Sequence, residues 1–583
     1  MKPLNEFSSS VFAPISSRIN GELLHLIFTF LLDSPKDIYS CSLVNIEWSS
    51  FATPLLWKKP VFHSQSSLIS FMNVVAVNHN VARYVRELDL ERYKGNLLSL
   101  HLIERLIKFL PGLHTLSMLS FDNYTHRRPD TSFLNSLFFT LPNLKRLTFT
   151  ATTCDPNLFN DIAYVIEKCP HLEEMKLLMN YNPTTHVCQK PSFDKESLEI
   201  FEQIESLKRL RSLEIAGPFV DLFLWKIILP RTPNLTKLSI AGGAFTSHYI
   251  RRIHHYCPHI RSLNLVRFDD PLKIFDQVCI DLANHFPGRL TELCISLSSM
   301  REISPVLWKC LNQSVTSISL YNTRIINAQI KTLAEHIGEN LHTLRLQNVT
   351  HNQRPGIRAW TTLLSKCGTG LSVLDVSMNH LMNDRIGHLI SHFCRSLRSL
   401  SLAKTKITED SLESMIYSNR NQLKHLNVNG IHLNAQIICA IGTHGKKLRN
   451  LHLQMIAAQT DNTSLRRLFR AIGKQLEFLD IRGRAVNGKL CKAITEWCPN
   501  LRAISFCNQT QLQDEDVLSL LLLRSNVQVL NLHCPNCFFV KGGLTTDLIN
   551  RIREHGIFGD TWWYQEFDRD CISPYHKLAG MLD

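Results

Sequence analysis

Apolar residues recur along the chain in a motif of six places, of which the first, fourth and sixth are apolar and the others mostly polar. Leu397-Arg-Ser-Leu-Ser-Leu402 and Leu423-Lys-His-Leu-Asn-Val428 show the pattern clearly. Neighbouring motifs start 25 to 31 residues apart, except for one gap of 38 residues after Leu172. The motif starts seventeen times, at Val85, Leu113, Leu144, Leu172, Leu210, Leu235, Ile260, Leu290, Val315, Leu341, Leu371, Leu397, Leu423, Leu448, Leu476, Leu501 and Val527.

Each motif predicts one strand, followed by a turn and a helix. The fourth and sixth places are two residues apart, so their side chains point to one face of a strand, and the third, fifth and seventh point to the other. A helix-like stretch, such as 411–416, follows the strand. One such unit cannot bury its own apolar face, so stacked units must share a continuous core. The pattern therefore predicts a solenoid with strands on its concave side and helices on its convex side.

The repeat resembles a leucine-rich repeat. Three copies open with Cys-Pro-x-Leu or Cys-Pro-x-Ile, at Cys169, Cys257 and Cys498, and these are similar to its cysteine-containing subtype. The expected fold class is α/β: a leucine-rich-repeat solenoid of about 17 repeats with a curved parallel sheet. The alternative is a set of unrelated βα units in a doubly wound sheet, against which the seventeen copies in phase argue.

The residues before the first motif differ in character. The pattern predicts an apolar helix over 22–32, a second helix over 38–44 with Asp37 as its N-cap, and a short third helix around 47–51. The segment resembles an F-box, and with the repeats it is similar to a fungal-like F-box protein of the leucine-rich-repeat class. The resemblance rests on Glu22-Leu-Leu, Ile27-Phe28, Cys41-Ser-Leu-Val44, Trp48, Ala52, Pro54-Leu-Leu-Trp57 and Phe62, which stand in the F-box order.

That resemblance implies a partner for the three helices. F-boxes bury apolar side chains against a Skp-type adaptor, which bridges to a cullin scaffold. Three short helices this apolar leave hydrophobic groups exposed, and exposed patches mark partner surfaces. The alternative is a helical cap for the solenoid. The residues that we assign to the adaptor contact, or to the small core beneath it, are Ile19, Leu23, Leu24, Ile27, Phe28, Leu43, Trp48, Pro54, Leu55 and Trp57.

The domain boundaries follow from these segments. We expect a polar tail over 1–14, the F-box over 15–62, a linking helix over 63–84, the solenoid over 85–540 and a C-terminal cap or tail over 541–583. Since no Gly/Ser linker precedes the first motif, we expect a rigid joint. The polar insertion at 179–197 predicts a protruding loop. The last segment either caps the open end of the solenoid or folds back along its concave face.

The net charge of +14 is partly periodic. A basic row at the second motif place either attracts an acidic or phosphorylated protein or forms a solvated rim. Nucleic acid is not expected as a partner, since no aromatic platform interleaves with these charges. The row consists of Arg86, Lys145, Arg211, Arg261, Arg398, Lys424, Arg449 and Arg502.

Cysteines and hydropathy bear on location and cofactors. Without an export signal or an apolar run of about 18 residues, we expect reduced thiols, no membrane, and a place in the cytoplasm and/or nucleus. Cys169, Cys257, Cys394 and Cys498 precede motifs and are expected in the interior. Cys534 and Cys537 form the single Cys-x-x-Cys, with no second pair for zinc, so no metal or other cofactor is expected.

The concave strand face is the candidate surface for a protein substrate. Adjacent polar side chains on a sheet offer hydrogen bonds, and a shift of one residue in register would discard them. The alternative is an ordinary solvated face. The candidates are Tyr321, Arg345, Gln347, His425, Asn427, Asn429, Asn450, His452, Gln454, Asp480 and Arg482.

The sequence shows no catalytic constellation: no zinc-binding pattern of a RING, no nucleophile elbow and no His-Glu-x-x-His. The resemblance implies a non-catalytic substrate-recognition subunit of a Skp–cullin–F-box ubiquitin ligase. It would bind targets on the concave repeat face and the adaptor through the F-box. The alternative is a leucine-rich-repeat scaffold or inhibitor with no ubiquitin role.

Overall fold

The computed structural model describes a large part of the chain. The described residues are 21–31, 35–60, 62, 65–90, 100–119, 141, 143–151, 169–179, 207–216, 224–225, 228–242, 247–268, 275–349, 356–380, 382–453, 462–481, 487–505 and 529–531. They divide into two compact units, one of residues 1–175 with 193–204 and the other of residues 176–192 with 205–583. Each unit is described by itself below.

The first unit contains the N-terminal helices and the first strands. Its helices are α1 (Gly21–Phe30), α2 (Pro35–Ser42), α3 (Ile46–Lys58), α4 (Gln65–Val77), α5 (His79–Tyr84) and α6 (Leu100–Lys108). Its strands are β1 (Glu87–Asp89), β2 (Thr115–Leu119) and β3 (Arg146–Ala151), followed by the start of β4 (Glu174–Met179). Strands β1, β2 and β3 pair in parallel, each with the next along the chain.

The second unit repeats strand and helix. Its strands are β5 (Ser212–Ala216), β6 (Lys237–Ala241), β7 (Ser262–Phe268), β8 (Glu292–Glu302), β9 (Ser317–Arg324), β10 (Thr343–Gln347), β11 (Val373–Asp375), β12 (Ser399–Ser401), β13 (His425–Asn427), β14 (Asn450–His452), β15 (Phe478–Asp480), β16 (Ala503–Ser505) and β17 (Val529–Asn531). Each pairs in parallel with the next, from β5 to β17.

The helices of the second unit lie between these strands. They are α7 (Ser247–Tyr256), α8 (Phe275–His285), α9 (Asn327–His336), α10 (Ile357–Cys367), α11 (Asp384–Phe393), α12 (Glu409–Ser418), α13 (Ala435–His444), α14 (Asn462–Ile472) and α15 (Gly488–Trp497). Helices α9 to α15 each pack against the next. Short 3₁₀ turns at 229–231, 305–310 and 473–475 complete the unit.

The structure confirms the leucine-rich-repeat solenoid. Every one of the seventeen described strands begins two residues after a motif start. Within each unit the neighbour of a strand is the next strand along the chain, whereas a doubly wound sheet reverses its strand order at a switch point. The alternative of unrelated βα units is therefore excluded.

The core is built from the apolar motif places. In the repeat that starts at Leu397, the side chains of Leu397, Leu400 and Leu402 are buried, and the corresponding places of the other described repeats are buried as well. The cysteines that precede motifs also lie inside, as predicted. The Cys257 thiol donates to the carbonyl of Thr232 at 3.3 Å, and burial raises its pKa to about 11. These cysteines pack in the core as small apolar side chains.

Six of the described repeats have a left-handed residue at place 8, the eighth residue counted from the motif start. Place 8 of the repeat has a positive φ at Gly242 (84°) and Gly430 (73°), where the absence of a Cβ makes that conformation free of strain. The same place is occupied by non-glycine residues in four repeats, with φ between 51° and 60°: Asn322, Asn348, Met378 and Lys404. Gly430 is thus a turn glycine.

Several expectations concern residues outside the described part of the chain. They are the tail over 1–14, the insertion loop beyond Met179, the pair Cys534 and Cys537, and the segment over 541–583.

Candidate adaptor and substrate surfaces

Helices α1, α2 and α3 enclose a small core of their own. Leu24, Phe28, Ile38 and Ala52 are buried in it, and the Trp48 ring meets the Phe28 ring edge-on with centroids 5.5 Å apart. Helix α3 starts where the Asn45 side chain accepts a hydrogen bond from the Trp48 N–H at 2.8 Å. An amide at this position satisfies a backbone donor that the helix cannot satisfy itself.

The structure separates the predicted adaptor residues into two groups. Leu24 and Phe28 are fully buried, so of the two roles predicted for them, adaptor contact or small core, they have the core role. Trp48 and Leu55 pack against that core, Pro54 is half-buried inside α3, and the Trp57 ring stacks on the Phe71 ring. Leu23, Ile27 and Leu43 are exposed, and Ile19 lies outside the described residues.

The exposed apolar surface is larger than predicted. Besides Leu23 and Ile27, α1 exposes Leu26 and Phe30, the latter to 78%. A second exposed group lies on α2 and the turn to α3: Tyr39, Leu43, Val44 and Ile46. The signal was present in the sequence, because α1 is apolar around nearly its whole circumference and therefore has more apolar faces than one small core can bury.

The helical segment is joined to the first repeat by a backbone hydrogen bond. In the repeats, the N–H at place 2 donates to the carbonyl at place 2 of the preceding repeat, as from His114 to Arg86 at 2.8 Å. Arg86 has no preceding repeat, and its N–H donates at 2.9 Å to the carbonyl of Lys58, the last residue of α3. The Phe62 ring also packs on Phe71, with centroids 5.0 Å apart. The end of α3 thus serves as the neighbour that the first strand needs.

The linking segment is two helices, not one. Helix α4 ends at Val77, and α5 begins at His79. The side chain of Asn78 accepts hydrogen bonds from the N–H groups of Asn80 and Val81, both at 3.1 Å. Asn78 is therefore the N-cap of α5, the helix that precedes β1.

On the strand face, the candidate substrate residues form two groups. Tyr321 lies directly opposite Gln347 in the β9–β10 pair, and Arg345 lies two residues before Gln347. In β13, β14 and β15, His425 lies opposite Asn450, Asn427 opposite His452, and His452 opposite Asp480. Asn429 follows Asn427 after the strand, and Gln454 and Arg482 lie outside the described residues.

Burial removes several candidates from the accessible surface. Tyr321, Gln347, Asn450, His452 and Asp480 are all buried, which corrects the expectation that they are open to a substrate. The physical reason is close spacing of parallel strands, which lets large neighbours cover one another. Arg345, His425, Asn427 and Asn429 are half-buried and keep some access to solvent.

Some of these polar groups have structural roles. The Asn427 side chain accepts the N–H of Asn429 at 3.1 Å, and the Asp375 carboxylate accepts the N–H and hydroxyl of Ser377 at 2.9 and 2.6 Å. Both side chains occupy place 5 and close the turn that leaves the strand. Asn427 therefore stabilises the turn after its strand, in addition to its predicted role in substrate binding.

Electrostatics distinguishes the two histidines. Burial, followed by the charges of His452, Lys424 and Arg449, lowers the pKa of His425 to about 4, so its imidazole is neutral at pH 7. His452 Nδ1 lies 3.7 Å from Asp480 Oδ2, and its ring lies against Phe478 with centroids 4.5 Å apart. The β13–β15 face is thus a polar surface with little net positive charge.

The basic row at place 2 is partly neutralised. Lys145 pairs with Glu173 at 3.1 Å, Arg449 pairs with Glu477 at 3.0 Å, and Arg86 donates to the Gly112 carbonyl at 2.9 Å. Arg211, Arg261 and Arg398 are exposed, and Lys424 and Arg502 are half-buried. These salt bridges neutralise part of the charge of the row, as expected for a solvated rim.

Comparison with family models identifies the helical segment. Residues 18–95 match the model described as the COS11 F-box domain. Residues 18–95 form an F-box domain. The match covers α1 to α5 and β1, so the F-box domain includes the hydrogen bond from Arg86 to Lys58.

Two curated fission-yeast proteins resemble the chain over less than half of its length. One is the SCF E3 ubiquitin ligase complex F-box protein pof2 of Schizosaccharomyces pombe, 23% identical over 274 residues, which are 43% of this chain and 57% of that protein. The other is DNA repair protein rhp7 of the same organism, 26% identical over 268 residues, which are 42% of this chain and 46% of that protein. The chain thus spans about half the length of the curated relatives it matches.

Solved structures offer weaker similarity. The Rad7 chain of the yeast Rad7–Elc1 complex is 16% identical with a TM-score of 0.31, covering 92% of this chain and 98% of that chain. An internalin, InlF of Listeria monocytogenes, is 14% identical with a TM-score of 0.27, covering 82% of this chain and 98% of that chain.

Two kinds of feature are absent from the described residues. No helix there is both long enough and apolar enough to cross a membrane. Within the same part of the chain, no three His, Cys, Asp or Glu side chains are grouped as metal ligands would be.

Proposed function

We propose that the protein is a substrate-recognition subunit of a Skp–cullin–F-box ubiquitin ligase. The observation that carries the proposal is the direct union of an F-box domain with a leucine-rich-repeat solenoid through the Arg86–Lys58 hydrogen bond. The name of the relative pof2 supports the same reading. One end of such a chain holds the ligase, and the other selects the protein to be modified.

The adaptor surface consists of the exposed apolar residues of the F-box domain. Ile27 and Leu43 are 43% and 68% exposed, and Phe30 and Ile46 are more exposed still. Exposed apolar side chains at this density mark a protein interface. We assign a Skp-type adaptor to it, with a cullin scaffold beyond the adaptor.

The substrate surface is the strand face of β12 to β15. Its half-buried groups His425, Asn427 and Asn429 offer hydrogen bonds, and Arg398 and Lys424 add charge at the start of the strands. These groups suit a protein segment, acidic or phosphorylated, lying across the strands. Cytoplasm and/or nucleus is the location in which such a ligase subunit would act.

The chain would act by holding the substrate in position and would not itself catalyse the transfer of ubiquitin. Holding a substrate near the conjugating enzyme raises the effective concentration of its lysines, which contributes to rate without any catalytic group on the receptor. A stiff receptor keeps that gain, whereas a flexible one dilutes it. The bond from Arg86 to Lys58 and the stacking of Trp57 on Phe71 supply the stiffness on the F-box side.

A scaffold without a ubiquitin role is the second candidate. The relative rhp7 is named for DNA repair and matches a similar share of this chain at slightly higher identity. Under this alternative the repeats bind proteins, but no cullin is recruited.

Affinity purification separates the two functions. The full chain is expressed with a tag, and the bound adaptor and cullin are identified by mass spectrometry. Ile27→Asp with Leu43→Asp should remove both partners, because charges would be buried in the interface. Leu24 is unsuitable for this test, since an aspartate at a fully buried position would unfold the domain.

The matched control is Ile357→Asp on α10, where the isoleucine is 42% exposed, much as Ile27 is. The control should retain both partners. A wild-type chain that recovers neither adaptor nor cullin would refute the ligase proposal and leave the scaffold.

A further inference from the structure

The positive charge of the protein is concentrated in one stretch. Residues 420–502 contain fourteen Lys and Arg against four Asp and Glu, so this stretch has a net charge of +10 out of the +14 of the whole chain. The strand-face candidates of β13–β15 account for none of this charge, because His425 is neutral at pH 7. Most of the charge therefore belongs to another surface.

Helix α14 displays a large part of it. Its apolar side chains pack inward, which turns Arg466, Arg467 and Arg470 outward, where all three are exposed. Arg466 and Arg470 are four residues apart on the same helix face, and like charges at this spacing destabilise a helix. The repulsion between these two arginines does not stabilise the helix.

The surrounding turns add three more cations. Lys446 and Lys447 follow α13, and the Lys446 ammonium donates to the carbonyl of Ala471 near the end of α14 at 3.4 Å. Lys474 lies one turn further along the chain. We call this surface the basic helical patch, formed by Lys446, Lys447, Arg466, Arg467, Arg470 and Lys474, all of which are exposed. Lys489 and Lys492 on α15 extend it.

The patch differs from other basic sites of the protein. Arg251 pairs with Asp281 at 3.4 Å, Lys108 with Glu104 at 2.6 Å, and Lys176 with Glu214 at 2.9 Å. In the described part of the chain, none of the six patch residues has a carboxylate within ion-pair distance. Six exposed cations on α14 and the turns beside it form a strong local field.

We propose that the basic helical patch binds the phosphate backbone of double-helical nucleic acid, independently of sequence. Nucleic-acid duplexes present a dense, rigid array of phosphates, which Arg and Lys contact without any pocket. Neighbouring helices pack about 8–10 Å apart, so the cations are spread over a breadth that a duplex spans and a single phosphate does not.

Other anionic partners fit the surface less well. An extended peptide gains most of its affinity along a free strand edge or in a groove, and this face consists of packed helices. A single strand needs open aromatic rings for base stacking. Two rings beside the patch each already have a guanidinium over them, since Arg420 lies 4.2 Å from the Tyr417 centroid and Arg466 lies 5.9 Å from the Trp497 centroid. The absence of an aromatic platform, which argued against nucleic acid in the sequence, concerns single strands only.

The test measures binding of the full chain to a fluorescein-labelled DNA duplex of 20 base pairs by anisotropy at several salt concentrations. Two unrelated duplex sequences should bind equally. Changing Arg466, Arg467 and Arg470 together to Gln should weaken binding at least about tenfold. It should also reduce the slope of log K against log salt by two to three, at about 0.9 for each lost phosphate contact.

The control variant changes Lys208, Arg209 and Arg358 to Gln, which removes three exposed charges elsewhere in the second unit. Lys208 and Arg209 occupy the same turn of the fifth repeat as Lys446 and Lys447 do in the fourteenth. The control should bind within twofold of wild type. Equal losses in both variants, no binding of either duplex, or tighter binding of a twenty-residue polyglutamate or of phosphatidylserine vesicles would overturn the proposal.

Discussion

The backbone N–H of Arg86 donates a 2.9 Å hydrogen bond to the carbonyl of Lys58, and this contact makes the end of the F-box domain the neighbour of the first repeat strand. A solenoid end exposes unpaired backbone and apolar core unless something covers it. Here α3 covers the N-terminal end while α1 and α2 leave apolar side chains for a partner. The F-box domain therefore has a structural role in addition to the binding role that we propose for it.

Removal of residues 1–62 should destabilise the first repeats. The truncated chain loses the acceptor for the Arg86 N–H and the partners of Phe71, namely Trp57 and Phe62. Hydrogen exchange read by mass spectrometry should speed up in peptides covering β1 and β2, and should be unchanged in β12 to β15. Unchanged exchange over β1 would show that the contacts of residues 1–62 do not stabilise the first repeats.

The left-handed place 8 predicts unequal effects for two substitutions. Gly430→Ala should lower stability by about 1–2 kcal/mol, since an L-residue there is strained and its Cβ would lie 3.2 Å from the Lys404 Cγ. Lys404→Gly should cost less than that, because it relieves the same strain in the preceding repeat. Thermal melting of the two variants checks the prediction; a greater loss for Lys404→Gly would contradict it.

Asn419 is a buried clamp between repeats. Its side-chain oxygen accepts the Leu397 N–H at 2.8 Å, and its amide donates to the carbonyls of Cys394 and Met415 at 2.9 and 3.0 Å. Asn419→Ala leaves buried backbone groups unpaired and should cost about 3 kcal/mol. Asn434→Ala, which removes a single N-cap bond to the Ile437 N–H, should cost about 1 kcal/mol in the same urea titration. Equal costs would mean that burial adds nothing at Asn419.

The lowered pKa of His425 predicts a loss of stability in acid. Its pKa of about 4 in the folded protein lies below the ordinary value of 6.5, so the unfolded chain binds the proton more readily. The contribution of His425 to the free energy of unfolding is present above pH 6.5 and is lost as the pH drops toward 4. The loss from this residue alone is about 2 kcal/mol at pH 5.

His425→Asn should remove that part of the pH dependence, as unfolding at pH 7 and pH 5 will show. The control, His380→Asn, changes an exposed histidine and should leave the wild-type difference between the two pH values intact. If His425→Asn loses as much stability between pH 7 and pH 5 as wild type, the imidazole is not the group responsible.

The repeat pattern predicted the strands well because it has a strong and regular cause. Places 1, 4 and 6 must be apolar in every unit, and each strand begins where the motif places it. Met378 and Lys404 show the limit of such reasoning. Their backbone is left-handed because the turn requires it, although neither residue prefers that conformation.

The candidate surfaces were less predictable. Helix α1 is apolar nearly all round, so periodicity alone could not separate buried Leu24 and Phe28 from exposed Leu23 and Ile27; the position of α3 decides it. On the strand face, alternation correctly placed Tyr321 and Asp480 away from the leucine core, but their burial depends on neighbouring strands that no local pattern describes.

We propose that the exposed apolar residues of the F-box domain bind an adaptor. Calorimetric titration of the purified full chain with a purified Skp-type adaptor tests it most directly. We expect saturable binding with one adaptor per chain. The affinity should fall at least about thirtyfold in the Ile27→Asp, Leu43→Asp double variant and should be unchanged in Ile357→Asp. No heat of binding with the wild-type chain, or equal affinity for all three proteins, would contradict it.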